Sequence, residues 1–330
     1  MGTGDQIAQL VADSGSCGVE VVSNPEFLRQ GTAIRDFLEP DRIVVGASLP
    51  AAGAAVAHLY DGVDAPVIMC SRRSAELAKY AANALLATRI SFINEVSVIC
   101  ERAQADVEEV ARIVGSDIRI GSANLSAGLG WGGSCFPKDL RALAATAAAY
   151  GCHASIVQSA LEVNARQVET ALERLRTAIG SARDATVCVL GLAFKPNTDD
   201  VRGAPALDVI RRLLEEGVRV RAHDPVAMAN ACGVLPNVDY CRDAYDAAIG
   251  SDALLLATEW PDYLTLDWKR MRSLMRGGLL LDGRNALNGR LLSAMGFTYL
   301  SFGRSGSLAS NGHFPEPQAV PDLAAQISKP

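Results

Sequence analysis

Histidine, aromatic residues and paired cysteines are scarce in this chain, and each scarcity excludes something. Four histidines occur in 330 residues, and aromatic side chains make up 5%. Eight cysteines stand at positions 17, 70, 100, 135, 152, 188, 232 and 241, with no C-x-x-C pair among them. That spacing argues against a structural zinc site or a disulfide framework, and it fits a reducing cytoplasm. No metal is expected. No run of about 18 apolar residues exists, so nothing reads as a membrane span. The first residues lack a charged stretch followed by an apolar run, so no signal peptide is read. Gln6 stands where a myristoylation pattern needs Ser or Thr. Positive charge is also short: 31 Lys and Arg face 37 Asp and Glu, a net charge of −6. That excludes a general nucleic-acid surface, so an anionic ligand must be held by a few placed cations.

What is present is a globular composition, 49% apolar and 21% charged, with length for about two domains and a further piece. Residues 4–13 read as helix and Gly18–Val22 as a strand, followed by the Pro25 loop. Residues 42–46 and 66–70 read as further strands around a helix at 51–60, the alternation of a parallel sheet edge. From Ser74 to Ala105 there is neither Gly nor Pro. Apolar residues recur there at helical spacing (Leu77, Ala81, Ala84, Leu85, Ile90, Phe92, Ile93, Val96, Ile99), which predicts one long amphipathic helix. Residues 137–150 and 154–179 add two more helices. Such helices need a partner surface, either a dimer interface or the core of a monomeric bundle. After Gly180, strands at 185–192, 218–223, 253–258 and 279–282 alternate with helices at 204–216, 242–249 and 267–275, a doubly wound pattern. The fold class is therefore α/β, and the proline-bearing last residues read as a loose tail.

The most informative block is Gly132-Gly133-Ser134-Cys135-Phe136-Pro137-Lys138-Asp139. Proline is favoured where a helix begins, so Cys135 should stand just outside a helix N-terminus. Exposed amides, the helix dipole and Lys138 would there favour a thiolate. A free cysteine is more often a small buried hydrophobe. Gly128 to Gly133 matches G-x-G-x-x-G literally, but no strand precedes it and no acidic strand end follows, so it is not read as a dinucleotide fingerprint. Lys79 and Asn83 share one helix face, with Asn94 close to the same stripe; this is either a solvated face or a pair of oxyanion donors. Lys195, Arg202 and Arg284 stand at strand ends of the last sheet, where ligands bind, and suggest an anion site. The competing reading is ordinary ion pairing with Asp199, Asp200 and Asp224.

Together these segments resemble the UDP-glucose/GDP-mannose dehydrogenase family. The matching stretches are Asn24–Arg29, Lys79–Glu95, Gly132–Asp139, Gly191–Arg202, Thr258–Trp260 and Asp282–Asn285, in the family's order across nearly the whole chain. Residues 40–46 are most similar to its UDP-glucose branch. The resemblance implies oxidation of a sugar C6 alcohol to a carboxylate with two NAD⁺, through a thiohemiacetal and a thioester on Cys135. It further implies that Lys79 and Asn83 stabilise oxyanions, that Asp139 positions water or acts as a base, and that Glu26 assists hydrolysis. Phe27, Leu28 and Gly132 would line the sugar site, and Lys195 and Arg284 would hold the nucleotide-sugar end. Arg119 would reach the substrate of a partner subunit in a homodimer built on the central helices. Gln30 and Arg202 would meet NAD, with Gln30 standing where the family often has Glu.

The same resemblance sets expectations for the domains: 1–70 as the C-terminal remnant of the NAD-binding Rossmann domain, 71–182 as the helical dimerisation domain, 183–315 as the UDP-sugar-binding domain and 316–330 as tail. No G-x-G-x-x-G follows a first strand, so most of the NAD-binding domain is expected to be lacking and turnover impaired. A noncatalytic nucleotide-sugar-binding remnant and a dehydrogenase for GDP-mannose or a UDP-aminosugar are the alternatives.

Overall fold

A computed structural model describes residues 1–16, 18–180 and 185–304. The chain opens with α1 (Thr3–Asp13), α2 (Ala33–Leu38), β1 (Ile43–Gly46), α3 (Pro50–Ala57) running into a 3-10 turn (His58–Tyr60), and β2 (Val67–Cys70). β1 and β2 pair in parallel, Ile43 opposite Val67 and Gly46 opposite Cys70. The strand expected at 18–22 does not form. This segment pairs at one point only, an antiparallel bridge between Ser23 and Gly46. In that register residues 18–22 face 47–51, where the chain has left β1 and turns into α3, so they meet no strand edge. Beyond Ser23, the Asn24 side-chain amide takes the Val44 carbonyl at 2.8 Å, and Pro25 has no N–H to extend the ladder.

The centre is helical. α4 (Arg72–Ala103) is a 32-residue rod, about 48 Å long at 1.5 Å per residue. Ser71 caps its start by accepting from the Ser74 N–H, and Gln104 ends it in the left-handed region at φ 58°. α5 (Val107–Gly115), capped by Asp106, was not expected. α6 (Phe136–Ala149) and α7 (Ser155–Ile179) complete this part. The apolar residues of α4 do not share one buried face. Ala84, Ala87 and Ile93 are buried, while Leu85, Phe92 and Ile99 are exposed. The inward stripe is instead partly polar, with Asn83, Ser91, Asn94 and Ser97 all buried.

The last part comprises β3 (Thr186–Leu190), α8 (Pro205–Glu215), β4 (Arg219–His223), α9 (Met228–Val234), β5 (Asp239–Tyr240), α10 (Ala244–Ala248), β6 (Ala253–Leu256), α11 (Pro261–Leu264), α12 (Trp268–Leu274), β7 (Leu279–Asp282), α13 (Gly289–Ala294) and β8 (Thr298–Leu300). The strands form one six-stranded parallel sheet in the order β5-β4-β3-β6-β7-β8. β6 and β7 are buried throughout, as strands covered on both faces must be. The order reverses between β3 and β6, so the crevice at their carboxyl ends is a topological switch point. The short edge strands β5 and β8 carry too few residues to show a period, and neither was expected. The proposed tail 316–330 and residues 305–315 lie outside the described residues.

Arg174 of α7 ties the centre to this sheet. It is buried, donates to the Ser301 carbonyl, pairs with Glu101 of α4 at 2.5 Å and lies 4.4 Å from the Phe302 ring centroid. No helix among the described residues is long and apolar enough to cross a membrane.

Candidate active site

Cys135 is the N-cap of α6, and its carbonyl accepts the Asp139 N–H at 2.8 Å. Its thiol is exposed and makes no capping bond; the Ser134 hydroxyl lies 3.6 Å away. Phe136 takes the first helical position and Pro137 the second, where a missing N–H still costs nothing. Cys135 contributes weakly to the electrostatics of Lys138, Lys195 and Arg202. Each of these cations also has a competing environment. Lys138 pairs with Asp139, which raises its ammonium above the ordinary range. Lys195 is lowered, first by burial and then by Arg29, against the pull of Asp36 and Cys135.

The loop before Cys135 is held at nearly every peptide. Asn94 Oδ1 accepts the Gly128 N–H at 2.8 Å, and the Gly283 carbonyl accepts the Leu129 N–H at 2.7 Å. Arg284 donates to the Gly130 carbonyl at 2.9 Å, and the Arg202 carbonyl accepts the Gly133 N–H at 2.9 Å. The glycines serve this close approach and no phosphate turn. A Cβ at Gly132 would stand 2.1 Å from the Gly203 carbonyl oxygen, and one at Gly128 would stand 2.4 Å from that of Gly283.

Two pairs leave α4 one turn apart. Asn83 Nδ2 donates to Asp139 Oδ2 at 2.6 Å, and both residues are buried. Lys79 Nζ meets Glu26 Oε1 at 2.9 Å, while Glu26 Oε2 accepts the Leu28 N–H at 2.6 Å. Lys79 lies 5.4 Å from the Phe27 ring centroid, and the Arg42 guanidinium 3.9 Å from it. The loop bearing Glu26, Phe27 and Leu28 is thereby fastened to α4 on the helix turn preceding Asn83.

The strand-end cations divide. Arg202 is bidentate on Asp200, at 2.9 and 2.8 Å, which raises the guanidinium and lowers the carboxyl. Its side chain remains 69% exposed. With Gln30, Asp199, Asp200, Val201 and Asn230 it lines an open cleft of about 300 Å³. Gln30 lies beside Asp200 and helps to lower its carboxyl. Arg284 faces inward, donating to the carbonyls of Ala257, Gly130 and Phe194 and lying 3.3 Å from Glu259. It joins the sheet rim to the Cys135 loop. Arg119 is not brought to this cluster; its exposed side chain pairs with Asp117 at 2.5 Å and lowers that carboxyl. Among the described residues no His, Cys, Asp and Glu group could hold a metal.

Asp224, first considered as an ion-pair partner, is instead an acceptor post. Buried at the end of β4, it takes the N–H groups of Leu192, Ala193, Val226 and Ala227 and the Trp260 indole. It thus fixes the turns after β3, β4 and β6 together. Its position directly after a strand was the signal available. Asn164 was also missed: it bonds both backbone polar groups of Trp131, at 2.8 and 2.9 Å, from a helix position with no motif around it.

The chain matches three family models. Residues 73–166 match the UDP-glucose/GDP-mannose dehydrogenase family, central domain, and residues 188–289 match its UDP binding domain. Residues 1–64 match its NAD binding domain, so the expectation that most of that domain is lacking gains no support. UDP-glucose 6-dehydrogenase TuaD of Bacillus subtilis is 43% identical over 321 residues, covering 96% of this chain and 70% of that protein. A UDP-glucose 6-dehydrogenase of Rhizobium meliloti is 43% identical over 312 residues, covering 92% and 71%. Among solved structures, a UDP-glucose dehydrogenase from Pyrobaculum islandicum superposes with a TM-score of 0.81 at 43% identity, covering 86% of this chain and 65% of that one.

Proposed function

The chain belongs to the UDP-glucose/GDP-mannose dehydrogenase family, and from that premise we propose that it oxidises UDP-glucose to UDP-glucuronate in two NAD-dependent steps through Cys135. The observation that carries the reading is the arrangement around α6. An exposed thiol stands at its N-cap, and a buried carboxylate sits one turn on, held by Asn83.

NAD, when bound, accepts a hydride in each oxidation. The Gln30–Arg202 cleft fits part of such a group, because an exposed guanidinium already held by Asp200 can meet a diphosphate without being moved. At about 300 Å³ the cleft is at the small end for a ligand pocket and suits one segment of a dinucleotide.

The first oxidation removes a hydride from C6 and the proton from its hydroxyl, leaving an aldehyde. The Cys135 sulfur adds to the aldehyde carbon, forming a C–S bond, and the oxygen takes up a proton. The second oxidation removes the remaining C6 hydride and that proton, leaving a thioester. Water then adds, the C–S bond breaks, and the thiol is regenerated with the carboxylate. Lys79 and Asn83 donate to the oxygen that carries charge in these steps. Asn83 has a second N–H beyond the one it gives Asp139. Asp139 holds the attacking water or takes its proton, and Glu26, paired with Lys79, assists hydrolysis. Phe27, Leu28 and Gly132 bound the sugar, and Lys195 and Arg284 border the nucleotide end at the β3/β6 crevice. Covalent capture retains the aldehyde between the two oxidations.

The working unit in this reading is a homodimer through α4. Leu85, Phe92 and Ile99 are exposed at seven-residue spacing on one stripe of it. Arg119, outside its own chain's cluster, is then available to the partner's substrate.

An NADH assay with UDP-glucose, GDP-mannose and a UDP-aminosugar tests the substrate. Two NADH per UDP-glucose, with the other sugars slower, is expected; preferred turnover of either alternative overturns the assignment.

A further inference from the structure

We propose that Asn164 is a positioning residue that sets the place of the Cys135 sulfur by clamping the backbone of Trp131. Asn164 Oδ1 accepts the Trp131 N–H at 2.8 Å, and its Nδ2 donates to the Trp131 carbonyl at 2.9 Å. One side-chain amide thus pairs with both backbone polar groups of one residue, as a neighbouring strand would. The amide orientation is fixed by this pairing, since the reverse would set donor against donor and acceptor against acceptor.

The surroundings leave Trp131 no other place. Its indole N–H donates to Ser91 Oγ at 3.0 Å, and Ser91 donates to the Ala160 carbonyl at 2.8 Å. Its ring meets Phe136, the first residue of α6, edge-on at 6.0 Å. On the other side, Gly130 has φ 106°, and a Cβ there would stand 2.6 Å from Asn164 Oδ1. The clamp therefore occupies the space that only glycine leaves open. α7 itself is firmly seated, with Val163 and Gln167 buried on either side of Asn164. From Trp131 the chain reaches Cys135 through Gly132 and Gly133. Ser134 follows, and the Trp131 ring bears on Phe136, the residue next to Cys135, so the placement of Trp131 reaches the thiol both along the chain and through that ring contact.

The catalytic consequence rests on the reading of Cys135 as nucleophile; the effect on the position of the thiol does not. The test compares wild type, Asn164→Ala and Asn164→Asp in full chains, with folding checked by circular dichroism. Two readouts are taken: iodoacetamide alkylation of Cys135, followed by peptide mass, and steady-state turnover of UDP-glucose. Loss of the clamp is expected to slow Cys135 alkylation severalfold and to cut kcat roughly 10²-fold, since small misplacements of reacting groups carry such costs. KM should move little. Asn164→Asp keeps the acceptor and loses the donor, so it should fall between the other two. Alkylation and kcat at wild-type values in a folded Asn164→Ala protein would overturn the proposal, even if its melting temperature falls. Should Asn164→Ala not fold, Asn164→Asp decides by the same criteria. If wild type itself makes no NADH, the proposed function fails, and alkylation alone decides the clamp: slowed rates support it and equal rates overturn it.

Discussion

Lys79 Nζ lies 2.9 Å from Glu26 Oε1, so an ion pair joins the Pro25 loop to the long central helix. Lys79 is largely covered and Glu26 half exposed. Such a pair contributes about 0–1 kcal/mol to stability. Its two members should therefore matter more to the reaction than to the fold.

Glu26→Gln should leave the melting temperature within a few degrees and slow thioester hydrolysis by roughly 10²–10⁴-fold, the usual worth of a general acid or base. Rapid-mixing records of NADH absorbance should show a fast burst followed by a slow steady state. Lys79→Met should lower the burst rate itself, if the ammonium acts on the oxygen during oxidation as proposed. Identical records for the two variants would contradict the division of roles.

Lys195 gives a pH dependence with a definite sign. Burial lowers its ammonium below the ordinary 10.5. In the free protein this disfavours the folded, charged form below the lowered value, and the penalty is relieved as pH rises toward the unfolded value. A bound diphosphate favours the charged form, so binding takes up a proton in that window. As pH rises, UDP affinity should therefore begin to fall before pH 10.5 is reached, and Lys195→Arg should remove the fall. Calorimetric titration in buffers of different ionisation enthalpy measures the proton uptake directly.

The exposed stripe of α4 predicts association. Sedimentation of the chain should report a dimer, and Leu85→Glu with Phe92→Glu should give a monomer that keeps its circular dichroism. A concentration-independent monomer for the unaltered chain would exclude the α4 interface.

Much of this was legible in the sequence wherever a period was long or a residue's chemistry strong. The absence of Gly and Pro from Ser74 to Ala105 gave α4 nearly to its ends, and continuous apolar runs gave β3, β6 and β7. Helical spacing related Cys135 to Asp139 and Lys79 to Asn83; the bond that joins Asn83 to Asp139 crosses from one helix to another and was not legible. What the period could not say is which side of α4 faces inward. Its buried stripe carries Asn83, Ser91 and Asn94, since that face must bind the loop of glycines, while Leu85 and Phe92 face out. Residues 18–22 looked like a strand by composition, but in the register of the Ser23–Gly46 bridge they face residues 47–51, where the chain has left β1 and turns into α3. Asp224 and Asn164 act by accepting or clamping backbone groups distant in sequence, and no local pattern announces that. Arg284 was legible as a cation at a strand end; its use on the Gly130 carbonyl was not, because that contact spans two units of the fold.

The covalent role of Cys135 is tested most directly by the fate of UDP-glucose in a Cys135→Ala protein, with product and NADH counted together. The account predicts two NADH and one UDP-glucuronate per UDP-glucose for the unaltered enzyme, and no UDP-glucuronate above background for the variant. Undiminished formation of UDP-glucuronate by Cys135→Ala would contradict it.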